Sequence, residues 1–278
     1  MPVAPSPRLR SVIVARLRAT GSVFAEDEAR LLMSAARTPA DLAAMVDRRT
    51  DGLPLEHVLG WADFCGLRIS VDAGVFAPRR RTEYLARQAV DIVRGAVGRT
   101  GRTSAPRRAV VVDLCCGSGA VGAAIVSAVD VVELHAVDID PAAVACARRN
   151  VGPAGGQVCE GDLYDPLPVA LQGRVDVLVA NAPYVPTEEI ELLPPEARLH
   201  EPRVALDGGA DGLDVLRRVI AEAPLWLAPG GHLLVETSER QAPLTVEAVA
   251  RHGLIPQVAS SDEQDATVVI GTNPAARG

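Results

Sequence analysis

An asparagine stands directly after the apolar run Val175–Ala180, and alanine, proline and tyrosine follow it. The Asn181 side-chain oxygen and the Ala182 carbonyl can each accept one N–H of a planar NH2 group, which orients its lone pair. Pro183 stiffens the turn, and Tyr184 can pack on a flat acceptor. The segment predicts group transfer to a planar nitrogen, with these four residues as the catalytic set. The alternative is an ordinary end of a strand that contains proline.

A glycine-containing loop, Asp113 to Gly119, follows the apolar run Val110–Val112. Gly117 and Gly119 permit a tight turn and a close backbone approach to a ligand, and the next helix presents its N-terminus there. The following predicted strand ends at Asp138, which can accept hydrogen bonds from a ribose diol. The predicted cofactor-binding set is Asp113, Cys115, Cys116, Gly117, Ser118, Gly119, Asp138, Asp162, Leu163 and Asn181.

Two cofactors compete for this loop. Gly117, Gly119 and Gly122 satisfy the G-x-G-x-x-G pattern of dinucleotide sites, which is a weak signal alone. Asp113 favours S-adenosylmethionine, because a carboxylate can hold the ammonium of its methionine end, directly or through water. The same carboxylate would repel a pyrophosphate. A turn without any ligand would not explain two acids and two glycines at this spacing, so the loop predicts a methyl transfer from S-adenosylmethionine.

Several further segments carry weaker signals. Asp162 follows the third predicted strand, where its carboxylate could accept from the adenine amino group; helix capping or a solvated turn explains it nearly as well. Glu201–Arg203 and Gly208–Leu213 follow the tyrosine and should lie over the site. Arg79–Arg81 with Glu83 suggest an interdomain salt-bridge cluster in preference to a substrate contact.

Composition narrows the class of protein. The net charge of −7 argues against an extended nucleic-acid partner. All 28 basic residues are arginine, which excludes a lysine nucleophile or Schiff base. The five cysteines show neither C-x-x-C nor zinc spacing, so we expect a reducing compartment and no metal. Without a secretory signal or an apolar run of about 20 residues, a cytoplasmic protein with no membrane partner is expected.

Strands and helices should alternate through most of the chain, which predicts an α/β sheet with helices on both faces. Residues 1–59 should form a helical substrate-recognition domain, 60–78 a hairpin linker and 79–278 the methyltransferase domain. The predicted strands are Val110–Val112, Leu134–Ile139, a short one at Val158, Val175–Ala180, His232–Glu236 and a terminal hairpin of Pro256–Ala259 and Ala266–Ile270. The predicted helices of that domain are Arg79–Val97, Ala120–Val129, Pro141–Asn150, Gly212–Leu227 and Ala242–Arg251, with a loop at 98–106.

With these motifs in order, the chain resembles the HemK/PrmC family of protein-(glutamine-N5) methyltransferases. The resemblance covers nearly the whole chain, from Glu56–Leu67 through Pro78–Glu83 and the motifs above to Pro229–Glu236. It implies a Rossmann-like seven-stranded class I methyltransferase sheet with a final antiparallel strand, and a small N-terminal helical domain that grips the substrate. It also implies that the acceptor is the glutamine of the Gly-Gly-Gln tip of a peptide chain release factor, or a glutamine of a ribosomal protein.

Three departures from the family pattern suggest a divergent branch. N-A-P-Y stands for N-P-P-Y, Arg80 and Arg81 stand in the P-R-P-E/D-T-E segment, and Cys115 replaces the first loop glycine. The main alternative is an exocyclic-amine methyltransferase of nucleic-acid bases, with the base stacked on Tyr184. The acidic balance counts against it. A non-catalytic binding module and a NAD-dependent oxidoreductase are the remaining alternatives.

Overall fold

Four helices open the chain in the computed structural model, which describes residues 7–98 and 108–275. They pack around a core of their own, in which Leu17 and Leu32 are fully buried. Thr38 accepts a hydrogen bond from the Asp41 N–H at 3.1 Å and so caps the third of these helices. The helices predicted up to about Leu59 are therefore present. They are α1 (Pro7–Ala19), α2 (Ala25–Ala35), α3 (Pro39–Thr50) and α4 (Leu55–Leu59).

A short antiparallel hairpin follows, made of β1 (Trp61–Phe64) and β2 (Leu67–Ser70). Gly60 ends α4 in the left-handed conformation, which glycine adopts without steric cost. Phe64 and Ile69 from the hairpin pack into the same core as Leu85 and Val111. The hairpin is therefore fixed against the large sheet and does not stand apart as a free connection.

Seven strands form the large sheet in the order β5-β4-β3-β6-β7-β9-β8. Strand β9 is antiparallel to both of its neighbours, whereas the pairs from β5 to β7 are all parallel. Every residue of β3 and β6 is buried, as a parallel sheet covered on both faces requires. The predicted α/β class and the reversed final strand are confirmed. The strands are β3 (Ala109–Leu114), β4 (Val132–Asp138), β5 (Gln157–Glu160), β6 (Val175–Ala180), β7 (Leu227–Thr237), β8 (Ile255–Ser261) and β9 (Ala266–Thr272).

Helices cover both faces of this sheet. One face carries α5 and α6 and the other carries α9 and α10, each over its own apolar core. No helix within residues 7–98 and 108–275 is both long and apolar enough to cross a lipid bilayer. The helices are α5 (Thr82–Gly98), α6 (Ala120–Ala128), α7 (Pro141–Val151), α8 (Pro195–His200), α9 (Asp214–Trp226) and α10 (Ala242–Arg251).

Two of the boundaries predicted for the methyltransferase domain differ from the structure by three residues or more. Helix α5 begins at Thr82 and not at Arg79, because the preceding arginines form a turn in which the Thr82 N–H donates to the Arg79 carbonyl at 3.0 Å. Strand β7 begins at Leu227 and not at His232, because Leu227 already pairs with Val175 before an irregularity in the register. Past Gly98, the loop predicted at 98–106 lies outside the described residues.

The order of the strands determines where a ligand can bind. Strand β3 pairs in parallel with β4 on one side and with β6 on the other. Asp113 near the end of β3, Asp138 at the end of β4 and Asn181 just after β6 therefore lie at one edge of the sheet. The chain winds to opposite sides of β3 at this point, and such a switch leaves a crevice beyond the carboxyl ends of the strands.

Candidate active site

A cleft of about 620 Å³ lies beyond the carboxyl ends of β3, β4 and β6. It brings together the predicted cofactor-binding residues and the predicted catalytic residues. The loop Asp113–Gly119, called the cofactor loop below, and the segment Asn181–Tyr184, called the Asn181 segment, therefore face the same cleft. Gly119 is the exception among the predicted residues. It packs behind the loop, where a Cβ atom would lie 3.1 Å from the Ala147 Cβ, so it serves close packing and does not line the cleft. The predicted residues that line the cleft are Asp113, Cys115, Cys116, Gly117, Ser118, Asp138, Asp162, Leu163, Asn181, Ala182, Pro183 and Tyr184.

Three residues in the left-handed region shape the cofactor loop. Cys115 has φ of 53°, Gly117 has φ of 53° and Gly119 has φ of 77°. The Gly117 N–H donates to Asp138 Oδ2 at 2.8 Å, and the Asp140 N–H donates to Asp138 Oδ1 at 2.9 Å. The Asp138 carboxylate at the end of β4 thus holds the cofactor loop in place, and these two hydrogen bonds fix the position of that carboxylate at the rim of the cleft.

Asp113 is almost fully buried at the end of β3, with 2% of its surface exposed. Burial raises the pKa of Asp113 to about 7, although the hydrogen bond from the Gly122 N–H, 2.9 Å from Oδ2, lowers it. Within the described part of the chain no arginine pairs with this carboxylate. A buried, unpaired carboxylate at the cleft wall therefore fits the ammonium group of S-adenosylmethionine, which would supply the missing cation.

The residues predicted for the adenine end lie at the cleft wall too. Asp162 pairs with Arg218 of α9 at 2.7 Å, and both side chains are substantially exposed. Leu163 is buried and has φ of 49°, so the backbone turns sharply after Asp162. Because Asp162 already has a cationic partner, its contact with an adenine amino group stays a prediction.

The Asn181 segment leaves the sheet immediately after β6 ends at Ala180. The Asn181 Nδ2 donates to Thr82 Oγ1 at 3.3 Å, and Ala182 is buried beside it. The Tyr184 hydroxyl donates to Glu236 Oε1 at 3.4 Å. Burial and the neighbouring Glu236 raise the pKa of Tyr184 to about 12, so its phenol stays protonated.

The glycine-rich loop predicted to lie over the site packs directly on this segment. A Cβ atom at Gly208 would lie 2.7 Å from the Pro183 carbonyl oxygen, and one at Gly212 would overlap the Tyr184 carbonyl. Gln241 joins the two segments, because its Nε2 donates to the Tyr184 oxygen at 3.0 Å and to the Asp211 oxygen at 2.9 Å. The glycines are thus required for close contact and not only for a turn.

Glu201 and Arg79 fix a second wall of the cleft. The Glu201 side chain is fully enclosed, accepts a hydrogen bond from the Ala77 N–H at 3.2 Å and pairs with the Arg79 guanidinium. Burial raises the pKa of Glu201, and Arg79 opposes that rise. The expected interdomain cluster of Arg79–Arg81 with Glu83 was therefore wrong: Arg79 turns to Glu201, and Glu83 pairs with Arg87 at 3.4 Å.

Sequence reasoning missed several residues that hold the site together. Asn150 Nδ2 donates to the Ser70 carbonyl at 2.9 Å and to the Ser118 carbonyl at 2.8 Å, which ties the hairpin to the cofactor loop. Thr82 contacts Asn181, and Glu236 contacts Tyr184. These residues appeared in the sequence only as parts of the segments that carry the family resemblance, and Gln241 carried no signal at all.

Comparison with known proteins agrees with this geometry. Residues 101–195 match the family model of the methyltransferase small domain. A methyltransferase from Pyrococcus furiosus has the same fold, with a TM-score of 0.52 at 16% identity over 75% of this chain and 90% of that one. The 4-amino-L-phenylalanine/4-methylamino-L-phenylalanine methyltransferase of Streptomyces pristinaespiralis is 36% identical over 70% of this chain and 65% of its own length.

The release factor glutamine methyltransferase of Geobacter sulfurreducens matches a larger share of the chain. It is 37% identical over 238 residues, which are 84% of this chain and 78% of that protein. The predicted class of enzyme, a methyltransferase that uses S-adenosylmethionine, is confirmed. The chain belongs to the family of release factor glutamine methyltransferases.

Proposed function

We propose that this protein transfers a methyl group from S-adenosylmethionine to the side-chain amide nitrogen of a glutamine in a peptide chain release factor. One observation carries the proposal: the Asn181 segment and the cofactor loop that contains Asp113 line the same cleft. The relative from Geobacter sulfurreducens, named for this reaction, supports the choice of acceptor. A glutamine of a ribosomal protein is a further protein acceptor of the same chemistry.

The residues of this chain divide the work between cofactor and acceptor. When bound, the cofactor supplies an electrophilic sulfonium methyl with a good leaving group. Asp113 holds the ammonium group and Asp138 the ribose diol. The loop residues from Cys115 to Ser118, with Leu163, form the wall beside them.

An amide nitrogen is a weak nucleophile, because its lone pair is delocalised into the carbonyl. The Asn181 side-chain oxygen and the Ala182 carbonyl each accept one N–H, which fixes the NH2 plane and directs the lone pair. Tyr184 packs on the flat amide, and Pro183 keeps the segment stiff. No strong base is needed before attack, since the nitrogen sheds a proton only after it carries positive charge.

Contacts between the front helices and the cleft support a role of these helices in binding a protein acceptor. Pro54, in the connection before α4, lines the cleft. Arg49 of α3 pairs with Glu196 of α8 at 2.8 Å and with Glu28 of α2 at 2.7 Å. We therefore assign residues 1–59 to substrate recognition, 60–78 to the hairpin that joins the parts and 79–278 to methyl transfer.

Exposed apolar side chains on the segment that borders the cleft support a protein acceptor further. The segment that carries α8 exposes 81% of Leu192, 66% of Leu199 and 48% of Val204. A protein surface can cover such side chains, whereas a small acceptor would leave them in water. Release factors act in the cytoplasm, and we propose the same compartment for this enzyme.

The nucleic-acid alternative has less support. The sequence relatives described above name a release factor or an aromatic amino acid as acceptor, and neither names a nucleic acid. The relative named for 4-amino-L-phenylalanine provides a comparison for the assay. A small molecule with a planar nitrogen should be tested beside the protein acceptor.

The test is transfer of labelled methyl from S-adenosylmethionine to a purified release factor, followed by mapping of the labelled peptide. We expect the label on the glutamine of the Gly-Gly-Gln tip. Asn181→Ala should lower turnover by about two to three orders of magnitude, as when a positioned polar group is removed from other active sites. Asn181→Asp keeps an acceptor oxygen but adds charge.

Cofactor affinity should change little in the alanine variant, because the side chain faces the acceptor. A release factor whose tip glutamine is replaced by alanine, and free 4-aminophenylalanine, are the matched acceptors. Label on the small molecule but not on the release factor would contradict the proposal. Wild-type turnover in Asn181→Ala would contradict the assigned site.

A further inference from the structure

Two residues outside the predicted catalytic set contact its central asparagine and tyrosine. Thr82, the first residue of α5, is 3% exposed, and its Oγ1 accepts from Asn181 Nδ2 at 3.3 Å. Glu236, near the end of β7, is 2% exposed and accepts from the Tyr184 hydroxyl at 3.4 Å through Oε1. Its other oxygen, Oε2, is buried and has no hydrogen-bond partner within the described residues.

From this arrangement we infer that Thr82 and Glu236 are positioning residues that decide which atom of the Asn181 amide faces the acceptor. The inference rests on the proposed function, in which Asn181 Oδ1 accepts an N–H of the substrate amide. Nothing in the sequence motif itself specifies that orientation, because the two ends of an asparagine amide have almost the same shape.

The direction of the hydrogen bonds carries the argument. An amide Nδ2 can only donate, so Thr82 Oγ1 must accept from Asn181 and send its own proton elsewhere. The Glu236 carboxylate can only accept when ionised, and it interacts with the Thr82 hydroxyl. With its oxygen accepting from Asn181, the Thr82 hydroxyl can turn its proton toward the Glu236 carboxylate, whose Oε2 lacks a donor, and Asn181 Oδ1 is left free for the acceptor.

The reverse orientation would be inactive. If the Thr82 hydroxyl donated to Asn181 Oδ1, Nδ2 would turn toward the acceptor and two donors would face each other. Glu236 opposes this orientation, because an ionised carboxylate attracts the Thr82 proton. Burial raises the pKa of Glu236, and Thr82, the nearby charge of Arg81 and the Tyr184 phenol oppose that rise.

A purely structural role for Thr82 explains less. A threonine at the N-cap of a helix commonly accepts from a backbone N–H of the first turn. Thr82 is the first residue of α5, so the N-cap position belongs to Arg81. Among the described residues, the Thr82 hydroxyl oxygen accepts from Asn181 and from no backbone N–H of α5. Its hydroxyl is directed at the catalytic segment and does not cap the helix.

Thr82→Val tests the inference, because valine keeps the shape and removes the hydroxyl, while Thr82→Ser retains it. With a release factor as acceptor, we expect kcat to fall about 10- to 100-fold in the valine variant, the range for a hydrogen bond to a charged group. The serine variant should stay within about threefold of wild type. Cofactor affinity, which reports folding, should be unchanged in both.

A double-mutant cycle separates positioning from stability. If Thr82 acts through Asn181, Thr82→Val should lower kcat no further in an Asn181→Ala background. Equal losses in both backgrounds would overturn the inference. Glu236→Gln should lower kcat too, since glutamine can donate to Thr82 Oγ1 and so reverse the direction of the hydrogen bonds. Full activity of this variant would show that Glu236 does not help to orient Asn181.

A measurement without any acceptor tests the same hydrogen bonds. The side-chain NH2 signal of Asn181 in a 15N spectrum can be assigned by its disappearance in Asn181→Asp. Its hydrogen exchange should be slow in the wild type and in Thr82→Ser, and faster in Thr82→Val. Equal exchange in all three would overturn the inference even if the acceptor proved to be another protein.

Discussion

Gly212 lies directly against the backbone of Tyr184, so closely that a Cβ atom added to it would overlap the Tyr184 carbonyl oxygen. That carbonyl also accepts from Gln241 Nε2, which donates to the Asp211 carbonyl as well, so the glycine-rich loop and the Asn181 segment cannot separate without losing one of these hydrogen bonds. We predict that Gly212→Ala lowers turnover at least tenfold, because the methyl group would push the catalytic segment out of register with the cofactor loop.

Gly230 provides the matched control for this substitution. It also has a positive φ, of 76°, but a Cβ atom there would meet nothing within 4 Å. Gly230→Ala should therefore cost only the strain of the left-handed conformation, roughly 1–2 kcal/mol of stability, with turnover unchanged. Steady-state kinetics and thermal unfolding of both variants decide the matter. Equal activity of the two would show that the close contact has no part in catalysis.

Some features of the fold and the site could be predicted from the sequence, and others could not. Continuous apolar strands and the Asp113–Gly119 loop were predicted because their signals are local, and the sheet topology follows from their alternation. The contacts of Thr82 with Asn181 and of Gln241 with Tyr184 join positions 99 and 57 residues apart. No local pattern specifies such pairs, so the residues that orient the catalytic segment could not be found before the fold was known.

Cys115 stands where the family pattern has glycine, and it adopts φ of 53°. A side chain in this region costs roughly 1–3 kcal/mol, while glycine costs about 0.5–1 kcal/mol in unfolded-state entropy. We predict that Cys115→Gly raises stability by up to about 2 kcal/mol, the difference between these two costs, measured by chemical denaturation. Cys159→Gly, in β5 at an ordinary negative φ, should lower it. Destabilisation of similar size in both would mean that the packing of Cys115 outweighs its strain.

Arg49 links the front helices to the rim of the cleft through Glu196, whose side chain is 45% exposed. Removing this carboxylate in Glu196→Ala should loosen the rim without touching the cofactor loop. We predict that KM for a release factor rises roughly two- to fivefold, as expected for one partly exposed ion pair. Cofactor affinity should not change.

Glu191→Ala is the matched control, because its partner Arg198 lies on the same segment and the pair does not reach the front helices. Its KM should equal that of the wild type. A change in cofactor affinity in Glu196→Ala, or the same KM in all three proteins, would contradict the assignment of the front helices to substrate recognition.

Asp113 predicts how cofactor binding depends on pH. Its pKa in the free protein is raised to about 7, chiefly by burial, so the carboxyl is half protonated at neutral pH. The ammonium group of S-adenosylmethionine favours the ionised form and lowers that pKa in the complex. Binding below pH 7 must therefore release a proton, whereas binding above pH 7 need not.

The dissociation constant measured by calorimetry should rise by up to about tenfold for each pH unit below 7 and be nearly constant between pH 7.5 and 8.5. Asp113→Asn should bind more weakly at pH 8 and lose most of the slope between pH 6 and 7, because the titrating group is gone. Asp138→Ala should weaken binding by roughly 1–3 kcal/mol, the range for lost charge-assisted hydrogen bonds. It should keep the slope but move it to lower pH, because the charge of Asp138 contributes to the raised pKa of Asp113. A slope that persists in Asp113→Asn would show that another group takes up the proton, and Asp113 would then not be the residue that holds the ammonium.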